Sequence, residues 1–175
     1  MIKKLSKKAS LLSALVLTMA LFAGCSNEKE NQKVADIEVK TIATKELQDK
    51  LSDDSWVVVD TRINDAFNGW KLDEVERGGH IKGAVDFSAN WLTVDSKDKE
   101  KTLDKALETK GIEKDKNIVL YDANGKDAKE VANYLSEKGY KNLYTYNVAD
   151  WAKDESLPME SYENYEMIVP ATIVN

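Results

Sequence analysis

Short apolar runs alternate with amphipathic stretches along most of the chain, the pattern of a mainly parallel sheet whose strands are joined by helices. Asp36 to Ile42 alternates polar and apolar residues and predicts an opening strand. Thr44 is a candidate cap for a short helix carrying Leu47 and Leu51 one turn apart. Trp56-Val57-Val58-Val59-Asp60 is a continuous apolar run ending in a carboxylate, as a strand buried on both faces requires. Lys99 to Lys110 places Leu103, Ala106 and Leu107 on one face of a charged helix, and Gly111 suits its end. Ile118-Val119-Leu120-Tyr121 predicts a second core strand. Ala128 to Lys138 follows as a helix with Val131, Ala132 and Leu135 inward, stopped by Gly139, and Asn142 to Tyr146 predicts a further strand. The expected class is α/β, a mainly parallel sheet with helices on both faces.

The first 25 residues obey another pattern. Lys3, Lys4, Lys7 and Lys8 precede an apolar run from Leu11 to Phe22 and then small residues, the three parts of a secretory signal. A run of about a dozen residues is too short to span a ~30 Å hydrocarbon core. Leu21-Phe22-Ala23-Gly24-Cys25 resembles the bacterial lipobox, with Phe22 where Leu is more usual. That resemblance implies removal of residues 1–24, acylation of Cys25, and a protein held on the cell membrane facing outside the cytoplasm; the plainer alternative is an ordinary signal with a chance cysteine. Residues 25–34 are polar and read as a flexible tether. The expected domain covers 35–160. Residues 161–175, with Tyr162, Tyr165 and an apolar string from Met167 to Val174, read as a linker-like segment.

Composition narrows the chemistry. The formal charge is -6, and loss of the four signal lysines takes it to about -10, which disfavours nucleic acid and anionic lipid as general partners. Only two arginines exist, Arg62 and Arg77. Cys25 is the one cysteine and His80 the one histidine, so internal disulfides, Cys–His pairs and multi-histidine metal sites are excluded. No cofactor is expected.

Two blocks carry a family resemblance. The first is Val58-Val59-Asp60-Thr61-Arg62, then Phe67 and, after an insertion from Asn68 to Gly78, Gly79-His80-Ile81-Lys82-Gly83-Ala84. The second runs Ile118-Val119-Leu120-Tyr121-Asp122-Ala123-Asn124-Gly125-Lys126-Asp127-Ala128. Together they resemble the rhodanese (sulfurtransferase) family: a strand ending Asp-x-Arg, a Gly-His-Ile-x-Gly-Ala stretch, and a strand, six-residue active-site loop and helix. Gly139-Tyr140 and Trp151 fit the same pattern; Asn147-Val148-Ala149-Asp150 departs from the family's usual Gly-Gly. The resemblance implies a rhodanese-like fold and, in active members, a loop cysteine that carries a sulfane sulfur held by backbone N–H groups.

Here the loop is Asp122, Ala123, Asn124, Gly125, Lys126 and Asp127, with Asp122 at the cysteine position and Asp127 in place of the usual cation. A carboxylate cannot carry a sulfane sulfur, so no catalytic residue is assigned. The expectation is a self-plugged pocket, the Asp122 carboxylate occupying the N–H cradle. Asp127 followed by Glu130 also reads as a helix-capping pair, His80 as a hydrogen-bonded turn residue, and Arg62 as a structural partner of Asp60 or Asp65. The four tryptophans Trp56, Trp70, Trp91 and Trp151 read as core and rim packing. An Asp122–Asp127 site for Ca²⁺ or Mg²⁺ has too few oxygen ligands, and no metal is assigned. A dual-specificity phosphatase of the same fold would also need a loop cysteine. The leading expectation is a membrane-anchored, inactive rhodanese-like lipoprotein that binds or regulates. Its partners would be the membrane, through lipid on Cys25, and another protein or a second rhodanese domain. The alternative is the non-catalytic N-terminal half of a tandem thiosulfate sulfurtransferase, since first domains of that kind also lack the cysteine.

Overall fold

The two uninterrupted apolar runs become the centre of a sheet because their side chains find apolar cover on both sides. In the computed structural model, which describes residues Glu38–Met167, β2 (Trp56–Asp60) and β5 (Asn117–Asp122) are adjacent parallel strands, with Val59 opposite Leu120 and Asp60 opposite Tyr121. β6 (Leu143–Asn147) continues the sheet beyond β5, β1 (Lys40–Thr41) beyond β6, and β4 (Val85–Asp86) lies beyond β2. The order is β1-β6-β5-β2-β4, parallel throughout. Cys25 with the export segment, the tether, and residues from Ile168 onward lie outside the described residues.

Alternation along the strands divides the core in two. Val59, Ile118, Leu120 and Leu143 face α3 (Lys99–Thr109) and α4 (Lys126–Glu137), whose Leu103, Leu107, Val131, Ala132 and Leu135 are buried against them. Val58, Val119, Tyr121 and Tyr146 face α1 (Thr44–Lys50) and α5 (Val148–Ala152), meeting Leu47, Val148 and Trp151. Each such buried side chain contributes about 1.5–3 kcal/mol relative to exposure. The α/β class with helices on both faces is what the pattern predicts.

Details differ from the sequence reading. The opening strand forms ladder pairs only at Lys40 and Thr41, because the chain turns inward at buried Ile42, whose N–H donates to the Thr145 carbonyl, and enters α1. Thr44 does not cap α1; Ala43 holds the cap position, and the Thr44 hydroxyl lies 2.8 Å from that of Tyr146. α4 begins two residues before Ala128.

An outer layer forms over α2 (Asn64–Asn68). β3 (His80–Ile81) pairs antiparallel with β7 (Met159–Glu160), apart from the main sheet. The segment expected to be linker-like packs back against the domain as far as Tyr165: Tyr162 N–H donates to the Asn68 carbonyl, and the Tyr165 ring stands edge-on to Trp70 at 5.7 Å. Gly79 has φ 88°, and a Cβ there would lie 2.2 Å from the Glu160 carbonyl oxygen, so only glycine lets this strap close. Arg77 ties the insertion to the end of α5, its guanidinium donating to the carbonyls of Ala152, Leu157, Trp151 and Asp154 at 2.8–2.9 Å.

Candidate functional site

The loop that carries the resemblance sits where β5 ends. All five residues from Ile118 to Asp122 are buried, so the strand delivers Asp122, 1% exposed, to the carboxyl edge of the sheet opposite Asn147. Open α/β sheets bind their ligands at this edge. The chain then turns through Ala123 and Asn124, and Gly125 takes φ 78° to start α4. A Cβ on Gly125 would meet nothing within 4 Å, so glycine is required there by the left-handed backbone alone.

A helix start leaves its first N–H groups without partners. Gly125 occupies the cap position of α4 and has no side chain to offer. Asp122 supplies both acceptors from three residues upstream: its Oδ1 accepts from Gly125 N–H at 2.7 Å and its Oδ2 from Ala128 N–H at 3.1 Å. The second bond reaches the third residue of the helix, which an ordinary capping side chain would satisfy. Asn124 Oδ1 accepts from Lys126 N–H at 3.0 Å. The carboxylate thus lies among the loop amides at the positive end of the helix dipole.

The capping role expected of Asp127 with Glu130 is not taken up. The helix starts at Lys126 with Gly125 in the cap position, so Asp127 is already the second residue of α4 and its side chain forms no cap bond. Burial, then the neighbouring Asp122 charge, pushes the Asp127 carboxyl above its ordinary range; Asp73 and Glu130 add to the effect and Lys126 opposes it. Among the described residues no three His, Cys, Asp or Glu side chains come together as a metal site.

The other motif residues brace the loop from beneath. Asp60 accepts from Arg62 three times, at Oδ1 from the backbone N–H and Nε and at Oδ2 from Nη2, with distances of 3.0, 2.9 and 2.6 Å. Arg62 Nη2 also donates to the Gly79 carbonyl at 2.8 Å, and its guanidinium lies 5.5 Å from the centre of the Tyr121 ring. Burial alone would lower the Arg62 pKa, but the Asp60 bonds and charge outweigh it and raise it. Of the two partners the sequence allowed, Arg62 takes Asp60. His80 belongs to β3 and not to a turn; it stacks on Phe67 at 3.9 Å between ring centres, with Nδ1 2.8 Å from the Phe67 carbonyl oxygen. Trp151 is fully buried and donates to the Pro158 carbonyl, while Trp56, Trp70 and Trp91 are half-buried.

Two hollows touch the loop, one of them, of about 370 Å³, through Gly125 alone, beside Val39, Lys129 and Thr145. The other, of about 240 Å³, is lined by Thr41, Asp122, Asn124, Gly125, Thr145 and Tyr146, among others. A more apolar groove of about 400 Å³, between Trp91, Val94 and α3, contains none of the loop residues. No helix among the described residues is long and apolar enough to cross a membrane.

Comparison with known proteins agrees with this geometry. The wild-type structure of EanB matches with a TM-score of 0.70 and 32% identity, covering 79% of this chain and 31% of that one. The anaerobic ergothioneine biosynthesis enzyme from Chlorobium limicola, in complex with trimethyl histidine, matches equally, at a TM-score of 0.70, 32% identity, and 79% and 32% coverage. So does an EanB variant in complex with ergothioneine covalently linked with a cysteine persulfide, again at 0.70, 32%, 79% and 32%. The chain spans about a third of the length of these structures. Residues 43–152 match the rhodanese-like domain family, and the chain belongs to that family.

Proposed function

We propose that this chain is a lipid-anchored rhodanese-like module that does not transfer sulfur by itself and acts by binding or regulation. The observation that carries the reading is the pair of bonds from Gly125 and Ala128 amides to Asp122, which fill with a tethered carboxylate the donors that would otherwise face an anion. Sulfur transfer requires a thiolate nucleophile, and the chain's one cysteine, Cys25, stands in the lipobox-like segment. Incubating the mature chain with thiosulfate and cyanide should give no thiocyanate above the uncatalysed rate, and mass spectrometry should find no persulfide. Turnover in isolation would end the proposal. For the anchor, cells fed labelled palmitate should label the wild type and not Cys25→Ala; an unlabelled wild type overturns it.

One observation favours a second reading. The matched structures are about three times as long as the part covered here, which suits a non-catalytic N-terminal half of a tandem sulfurtransferase. An in-frame continuation of the gene encoding a second, cysteine-bearing loop would decide for it; a stop codon followed by no such frame decides against it.

A further inference from the structure

Two asparagines of the chain are followed by glycine, at Asn68–Gly69 and Asn124–Gly125. Such a pair can rearrange by itself: the glycine nitrogen attacks the asparagine Cγ, ammonia leaves, and water opens the succinimide that results. Glycine matters because no side chain shields the attacking nitrogen. At Asn68–Gly69 the fold blocks the reaction. Gly69 is buried, its N–H donates to the Asp65 carbonyl at 3.3 Å, and the Tyr165 ring lies so close that a Cβ would stand 2.4 Å from it. A peptide carbonyl accepts that hydrogen bond but cannot take the proton.

At Asn124–Gly125 each step of the reaction meets a suitable group. Both residues are exposed and line the hollow of about 240 Å³, which gives water access. The Gly125 N–H donates to a carboxylate, that of Asp122, at 2.7 Å, within the reach that proton transfer needs. The Asn124 side chain is folded along the backbone, where its Oδ1 accepts from Lys126 N–H at 3.0 Å. That donor is the first residue of α4, at the end of the helix that favours negative charge. The oxygen it holds is the one that becomes negative when Cγ is attacked.

We propose that Asn124–Gly125 is a self-modification site, with Asp122 as the base and the Lys126 amide as the oxyanion donor. The Gly125 N–H proton passes to Asp122 Oδ1 as the nitrogen bonds to Asn124 Cγ. The Cγ–Nδ2 bond then breaks, and Nδ2 takes that proton and leaves as ammonia. Water cleaves one of the two ring C–N bonds. Cleavage at Cγ leaves aspartate at position 124; cleavage at the backbone carbonyl leaves its β-linked isomer, with one more atom in the main chain. The change is irreversible and alters the loop itself, because ring closure takes the Gly125 donor from Asp122 and either product adds a charge beside it. It holds for either functional reading above.

The test is to incubate the full chain near neutral pH in heavy-oxygen water and map it by mass spectrometry. Heavy oxygen should enter at residue 124 and not at residue 68. The native chain should convert Asn124 at least about tenfold faster than the same chain unfolded in urea. Asp122→Asn keeps an acceptor for the Gly125 N–H but cannot take its proton, and should slow the conversion by about tenfold or more. A native rate at or below the unfolded one overturns the proposal, because the fold then protects the bond. An Asp122→Asn rate equal to that of the unaltered chain overturns it too, since the carboxylate would then be no base. The first comparison uses the unaltered chain and decides whether or not the variant folds.

Discussion

Two buried aspartates end neighbouring strands of this sheet, and they are neutralised by different means. Asp60, 0% exposed, closes β2 with a guanidinium that engages both its oxygens. Asp122, 1% exposed, closes β5 with two peptide N–H groups and no formal counter-charge. A buried charge is tolerated when paired or fully hydrogen-bonded, and these sites show one solution of each kind. The difference matters because an ion pair fails when either side chain changes. Backbone donors persist whatever side chain stands at position 122. On the proposed reading, the second arrangement is a ligand cradle that the chain fills from within.

The largest expected effect lies on the ion-pair side. Asp60→Ala leaves Arg62 buried without its partner and should cost about 3–5 kcal/mol, read as a fall in the midpoint of urea unfolding. A loss under ~1 kcal/mol would mean that Arg62 finds water or another acceptor. Asp122→Ala removes two charge-assisted bonds and should cost about 2–4 kcal/mol, with Asp122→Asn, which keeps one acceptor, losing less. Equal losses in the two variants would show that the carboxylate is not gripping both amides. Gly79→Ala perturbs only the Asp60 side, through the carbonyl that Arg62 uses, and should cost about 2 kcal/mol. Hydrogen exchange should then speed up in β3 and β7 while the Ala128 amide is unaffected.

The smallest effect tests the Asp122 side by pH. Asp127 has a raised carboxyl pKa, so the folded chain binds its proton more tightly than the unfolded chain does. Its charged form therefore opposes folding above the ordinary carboxylate range, and the penalty is relieved as pH falls through the raised value. Asp127→Asn should stabilise the protein near pH 7 by less than ~0.5 kcal/mol after solvent screening, and the gain should vanish in acid. A gain that persists at low pH would trace to something other than this charge.

The sheet and its main helices were legible because their signals are local. Val57 to Val59 and Ile118 to Leu120 have no polar face to misplace, and Leu103 with Leu107, or Val131 with Leu135, repeat at helical spacing. The loop was legible from the motif, whose glycine and terminal aspartate sit where a strand must turn into a helix. What could not be read depends on partners far along the chain. Arg77 meets carbonyls 74–80 residues away, and the two-residue pairing of His80 and Ile81 with Glu160 and Met159 has no period to detect. Thr44 resembled a cap because its alternative partner, the Tyr146 hydroxyl, lies 102 positions on. Asp127 resembled a cap because the Asp127-to-Glu130 spacing is that of a capping pair, whereas the left-handed Gly125 starts the helix two residues earlier.

Both arginines of the chain are committed to scaffolding, Arg62 beneath the loop and Arg77 at the end of α5. Arg62, 1% exposed, is shut off from solvent, while Arg77 is only half-buried, so nearly all the cations that the described surface offers to solution are lysine ammoniums, compact and strongly hydrated. Dicarbonyl reagents aimed at guanidinium groups should spare Arg62 in the native fold and reach it only as the fold opens. Modification of Arg62 by phenylglyoxal, read by peptide mapping, therefore provides a clock for unfolding that is independent of any ligand.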